Sequence, residues 1–354
     1  MLNLHKLVRD ALLDDATHSP TLRACLERDG ARAFRYFDRI LRSREAYARV
    51  GLNLTEFSSL LPLDISSLST PLLVCLAMQR DGYLRQRAVS ALAVRVEAIS
   101  LAGVANRIVD PVPQVAEQAR DAWASLLAYS SVQHLVWCLP LIDMVIKTPR
   151  GARSSVLQDV DGFMSRFPDM AVAELDLATR SPDQYLRLSA FTHLARLFPS
   201  ELTPRLAQAL EDASPPVRRW AGQTALSVVP QHELEPLLRL IADNRSPSLR
   251  LLALREYRRR ADADRIEAAC LDGNANVRFY ARRYLRKLHR SVDHRDRALS
   301  ILTSSAGQTA QLIGALAVLS EFGREQDRPL IETFVKDKRA RVAAEAARTL
   351  RLLG

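Results

Sequence analysis

An alanine returning at nearly constant distance restricts this chain to one kind of architecture. Ala88, Ala119, Ala190, Ala221, Ala253, Ala281, Ala315 and Ala346 are separated by 31, 71, 31, 32, 28, 34 and 31 residues. A local pattern travels with it: a turn residue, Val or Leu five positions later, usually Arg next, then the alanine. It reads Ser181, Leu186, Arg187, Ala190; Asp212, Val217, Arg218, Ala221; Asn244, Leu249, Arg250, Ala253; and Asp272, Val277, Arg278, Ala281. Four residues beyond each alanine stands Leu92, Trp123, Leu194, Ala225, Tyr257, Leu285, Leu319 or Leu350. Residues i and i+4 share a helix face, so this is a buried stripe. One supersecondary unit has been copied, and such a unit buries its apolar face only by stacking on neighbours.

A second feature keeps the same phase. Pro71, Pro204, Pro236 and Pro329 each lie 17 residues before a marker alanine. Proline suits the first turn of a helix, where no intrahelical donor is lost, so each unit is expected to hold a first helix opened by this proline. Pro140 extends the series and predicts a disguised anchor at Leu157, filling the interval of 71. The pairs Asp110-Pro111, Ser181-Pro182, Ser214-Pro215 and Ser246-Pro247 are expected to open the second helices, an N-cap acceptor preceding proline at the first helical position. The predicted class is all-α: an α-α superhelix of about nine two-helix repeats over residues 70–354. Residues 1–69 leave the phase and read as a divergent helical N-terminal cap, with helices over 4–13, 21–28 and 31–42 and a Ser/Leu-rich stretch over 58–69. A single globular core would not be expected to grow to 354 residues, but a solenoid escapes that limit.

Cys25, Cys75, Cys138 and Cys270 form no CxxC pair and read as reduced core residues. Lys6, Arg9, Asp10, Asp14 and Asp15 interrupt the N-terminus, so no signal-peptide core is expected there. The longest apolar run, residues 135–142, is too short to span a bilayer. No membrane insertion and a cytoplasmic location follow as expectations.

The unit Asp-x4-Val-Arg-x2-Ala-x3-Leu, as at Asp272, Val277, Arg278, Ala281 and Leu285, resembles HEAT-like repeats, in particular the short bacterial subclass first noted in bilin lyases. The resemblance covers about residues 70–354 and implies a scaffold holding a protein partner on a curved surface, although some branches bind DNA and a few are enzymes. Deoxyhypusine hydroxylases, which share the repeat, need several His-Glu pairs for two irons, and here only His232-Glu233 occurs. Alkylpurine DNA glycosylases built on helical repeats place an Asp beside tryptophans, whereas Trp123, Trp137 and Trp220 offer no Trp-x3-Asp spacing. A glycosylase-like enzyme is therefore a remote reading. Nothing implies a cofactor.

The formal charge is +10, and residues 245–297 alone carry +8. Two and six positions after successive marker alanines stand Arg255 with Arg259 and Arg283 with Lys287, which share a face and align between stacked repeats. Arg258, Arg282, Arg286 and Arg290 widen the stripe, and Arg348 extends it. Second helices commonly line the concave side, where one sign of charge attracts an anionic guest. The guest is expected to be a protein with an acidic surface, which makes the chain a non-catalytic adaptor of unspecified oligomeric state. The alternative is a nucleic-acid backbone, with Tyr257, Phe279, Tyr280 and Tyr284 as base platforms. A charge run on a helix is also commonly just a solvated face. Arg187, Arg218, Arg250 and Arg278 read instead as a structural ladder, paired with turn carboxylates such as Asp212 and Asp272. His289, Asp293, His294 and Asp296 have irregular spacing and helix-end reasons to be where they are, so no metal is assigned.

Overall fold

The computed structural model describes residues 4–42, 61–304 and 308–353, which form helices and short turns with no strand among the described residues. The chain divides into two compact units, Met1–Leu202 and Thr203–Gly354. Residues 58–60 of the Ser/Leu-rich stretch lie outside the described residues.

The first unit opens with α1 (Leu4–Leu13) and α2 (Asp15–Leu41), the latter two helical segments joined at Gly30, whose φ of 47° suits a residue without Cβ. Four helix pairs follow. They are α3 (Thr70–Leu76) with α4 (Gly82–Leu92), α5 (Ala98–Ala105) with α6 (Pro113–Tyr129), α7 (Val132–Ile146) with α8 (Val156–Arg166), and α9 (Pro168–Ala178) with α10 (Gln184–Leu197). First helices pack on first helices, α5 on α7, and second on second, α4 on α6. Leu22, Leu26, Phe34 and Leu41 of α2 enter the same core as Leu72, Leu73 and Leu76 of α3.

The second unit stacks five pairs. These are α11 (Leu202–Glu211) with α12 (Pro215–Val228), α13 (Gln231–Ala242) with α14 (Pro247–Arg259), α15 (Ala263–Ala269) with α16 (Ala275–Lys287), α17 (His294–Thr303) with α18 (Thr309–Phe322), and α19 (Arg328–Thr333) with α20 (Ala340–Leu352). Here α12 packs on α14, α14 on α16, and α18 on α20. Among the described residues, no helix is long and apolar enough to cross a membrane.

All eight marker alanines are the seventh residue of a second helix, and each is fully enclosed. A methyl at the crossing lets neighbouring axes approach closely, and a longer side chain there would separate the pair.

Three local expectations are corrected. Pro71, Pro204 and Pro329 do lie in first turns, but Pro140 and Pro236 sit inside α7 and α13, because upstream residues extend those helices backwards past the proline. The phase taken from Pro140 therefore fails: Leu157 is the second residue of α8 and only half-buried, while Val156, Val160 and Met164 form the enclosed stripe. Finally, α6 and α10 start three residues after Asp110 and Ser181. Those two residues shape the turn instead, Asp110 Oδ1 accepting the Val112 N–H at 3.0 Å and Ser181 Oγ the Asp183 N–H at 3.1 Å. Ser214 and Ser246 do precede proline at the helix start, and the same turn recurs before them. Asp212 Oδ1 takes the Ser214 N–H at 2.6 Å, and Asn244 Oδ1 the Ser246 N–H at 3.0 Å.

Candidate partner-binding face on the second helices

The repeated arginine sits in the first turn of a second helix, where the macrodipole disfavours a cation, and its side chain leaves that region. Nη1 folds back to the carbonyl six residues upstream in five units. Arg85 reaches Gln79, Arg187 Ser181, Arg218 Asp212, Arg250 Asn244 and Arg278 Asp272, at 2.7–3.0 Å. Those carbonyls lie in the turn one to three residues past the preceding first helix, so the guanidinium stands near the negative end of its dipole. The expectation that Arg218 pairs with the Asp212 carboxylate is replaced in this contact by bonds to the Asp212 and Ala213 carbonyls. At Arg250 and Arg85 a turn carboxylate from the next helix pair joins. Arg250 donates to both oxygens of Asp272, and Arg85 to both oxygens of Asp110. Arg278 reaches Glu321 instead.

Arg85 carries the same signature, Leu84-Arg85-x2-Ala88, and sequence reasoning missed it. It belongs to a buried cluster in the first unit in which Asp110 also receives Arg107 and Arg42, while Asp38 receives Arg107 and Arg42. Burial alone would raise the Asp110 carboxyl, but hydrogen bonds from Arg85 and the Val112 N–H and the charge of Arg107 hold it below the usual range. Burial pulls the Arg107 guanidinium down against the attraction of Asp38 and Asp110.

The remaining cations fall into two groups. Arg259 is paired with Glu256 at 2.7 Å, and its partner's carboxyl is held down at about 2, chiefly by the hydrogen bond from Arg259, against desolvation, with Arg260 adding a second. Arg282 joins Arg278 on Glu321. Arg290 pairs with Asp264 at 2.9 Å and Glu267 at 3.1 Å, and Arg348 with Glu345 at 3.5 Å. By contrast, Arg255, Arg258, Arg283, Arg286 and Lys287 are exposed, and no carboxylate among the described residues lies within ion-pair distance of them.

The open cations recur at matching helix positions, 9 and 12, in both helices. Positions 5, 9, 12 and 13 read Leu251, Arg255, Arg258 and Arg259 in α14, and Phe279, Arg283, Arg286 and Lys287 in α16. The two helices pack together, and the Arg258 guanidinium lies 4.9 Å over the Tyr284 ring. In α12 positions 9 and 13 are Gln223 and Ser227, and in α18 they are the buried Ala317 and the paired Glu321. At positions 9, 12 and 13 the basic face is thus two helices wide, with the exposed Arg219 at position 5 of α12 beside it, and Arg348 on α20 stands beyond α18, apart from it.

Of the candidate aromatic platforms, Tyr257 and Tyr284 are buried, Tyr280 is half-buried and edge-on to Phe279 at 5.4 Å, and Phe279 is 50% exposed. Phe279, Arg283, Arg286 and Lys287 line a shallow depression of about 380 Å³.

The other candidates resolve into structure. Trp123 is buried and donates Nε1 to Asp159 at 3.1 Å, and Trp137 packs edge-on against Phe34. His289 occupies the left-handed position just past α16, Asp293 caps α17 by accepting the Asp296 N–H at 2.9 Å, and the His294 ring packs at a tilt against Phe322. Burial and the charge of Arg282 push the His294 imidazole down. No group of three His, Cys, Asp or Glu side chains is placed to hold a metal ion among the described residues. All four cysteines are free thiols, and burial pushes that of Cys270 up to about 12.

No protein-family model matches the chain, and no curated protein does. Solved structures similar to it include an engineered protein (TM-score 0.29, 13% identity, covering 100% of this chain and 99% of that one). YibA of E. coli follows at TM-score 0.28 and 12% identity, covering 81% of this chain and 93% of that one. An importin beta has TM-score 0.28 and 12% identity, covering 99% of this chain, which spans 61% of that protein. Likenesses this low decide neither partner nor role.

Proposed function

We propose that the chain is a non-catalytic adaptor that holds another protein against the basic face of α14 and α16, with residues 1–69 as its terminal cap. The observation that carries this reading is the contrast between neutralised and open charge. Around the face, Arg259, Arg260, Arg278, Arg282 and Arg290 are matched by carboxylates, yet Arg255, Arg258, Arg283, Arg286 and Lys287 on two stacked helices are not. Like charges held together without counterions cost self-repulsion, which an acidic partner relieves.

Nucleic acid is the second reading, favoured by Phe279 standing open among Arg283, Arg286 and Lys287. Affinity capture from native lysate, with and without nuclease, separates the two. Adaptor function calls for one stoichiometric protein that survives nuclease and is lost with Arg255→Glu combined with Arg283→Glu. Recovery of nucleic acid alone, with a steep logarithmic salt dependence, transfers the face to the second reading.

A further inference from the structure

We infer that the element received by this face is an acidic segment carrying one aromatic side chain, which seats on Phe279 while its carboxylates meet Arg255, Arg283, Arg286 and Lys287. The inference rests on the adaptor reading and makes it specific.

Three observations lead to it. First, the face is short. Its unpaired cations at positions 9, 12 and 13 lie on two adjacent second helices, between Gln223 and Ser227 of α12, where the exposed Arg219 stands one turn earlier, and Ala317 and Glu321 of α18. A backbone-tracking groove for a nucleic-acid strand needs cations continued along the strand and several open rings for successive bases. Here Tyr257 and Tyr284 are buried, leaving Phe279 as the ring most open to a guest. A brief peptide segment fits that extent.

Second, the charge has one sign. Arg283, Arg286 and Lys287 follow Phe279 at i+4, i+7 and i+8, so they stand on its face of α16, and Arg255 extends the field from α14. Carboxylates beside an inserted side chain are the complement.

Third, the face has an apolar member. Phe279 exposes half its surface and lines, together with Arg283, Arg286 and Lys287, a shallow depression of about 380 Å³. An aliphatic guest would gain only buried area there. An aromatic guest adds ring-on-ring contact with Phe279 and presents its π-face to the guanidinium groups of Arg283 and Arg286.

The test uses the full chain and fluorescein-labelled peptides of Glu, Asp and Gly with one central Trp, one central Ala, or Gln and Asn replacing the acids, read by anisotropy at low salt. The Trp peptide should bind about fivefold to tenfold more tightly than the Ala peptide. Phe279→Ala, an exposed position whose helicity is checked by circular dichroism, should shrink that advantage to below about twofold. Arg283→Ala with Arg286→Ala should weaken both acidic peptides, the Trp peptide more strongly, since its ring loses the guanidinium contacts as well as the charge. Equal binding of the Trp and Ala peptides overturns the inference and leaves the adaptor reading intact. If neither acidic peptide outbinds its Gln/Asn counterpart, both fall. Binding of a single-stranded oligonucleotide in place of the peptides assigns the face to nucleic acid instead.

Discussion

Arg250 donates through Nε and Nη2 to the two carboxylate oxygens of Asp272, at 2.6 and 2.8 Å, and through Nη1 to the Asn244 carbonyl at 2.8 Å. One guanidinium thus closes the end of α13 and fastens it to the turn before α16. Asp272 is engaged further, taking the Asn274 N–H at 2.7 Å.

Lysine cannot replace that fork, because an ammonium is a point donor without the planar, bidentate geometry. Arg250→Lys is expected to cost about 1–3 kcal/mol in chemical denaturation. A double-mutant cycle of Arg250→Ala with Asp272→Ala should give a coupling of about 0.5–3 kcal/mol. Strictly additive losses would show that the contact contributes nothing as a pair.

Gly314 and Gly162 test close approach against propensity. A Cβ at Gly314 would fall inside the van der Waals shell of the Leu271 carbonyl oxygen, whereas one at Gly162 would meet nothing within 4 Å. Gly314→Ala is expected to cost about 1–3 kcal/mol or more, by forcing α18 away from the turn between α15 and α16. Gly162→Ala, inside α8, should gain about 0.5–1 kcal/mol. Thermal melts of the two variants should move in opposite directions.

The helices bearing the basic face share an unusual ending. Ala261 and His289 both adopt φ 54°, and the following residues complete the same cap, Asp262 N–H to Tyr257 O at 2.9 Å and Arg290 N–H to Leu285 O at 3.1 Å. Glycine normally fills that left-handed position. Ala261→Gly and His289→Gly are each expected to raise stability by about 1 kcal/mol, since the backbone strain of a Cβ there disappears. A fall in the melting temperature of either variant would contradict the cap assignment.

What could be read in advance follows from how local each cause is. The marker alanines were legible because a close helix crossing admits only a small residue, so phase and residue type agree at each of the eight marked pairs, while the pair containing α8 lacks the alanine. The prolines were ambiguous, since a proline in a first turn and one inside a helix look alike until the start of the helix is known. Hence Pro140 misplaced the anchor at Leu157. The arginine ladder was legible as a pattern, but its acceptors were not: a carbonyl six residues back becomes reachable only once the turn is folded. Arg42, Arg85, Arg107 and Asp110 come from three separate segments, and nothing local announces their meeting. On the basic face the composition was legible, while the neutralisation of Arg282 depends on Glu321, 39 residues away. The openness of Phe279 beside buried Tyr284 follows from helix phase, which the alanine marker supplies.

Asp110 also sets a pH dependence. Its carboxylate side chain is fully enclosed, faces Arg85, Arg107 and Arg42, and ionises below the usual range despite burial. A depressed folded-state pKa contributes stability above the unfolded value, about 3.9, and that contribution is lost as the pH falls from there toward the folded value. Asp110→Asn removes the charge while leaving buried guanidinium groups without their counterion, so at pH 7 it is expected to cost about 3–5 kcal/mol. Protonation imposes much the same loss on the native chain, and the gap between native and variant should therefore narrow as the pH falls below about 4. Urea midpoints from pH 7 down to pH 3, with amide exchange followed in α4 and α6, measure it. A gap that stays constant over that range would mean that Asp110 acts through shape alone.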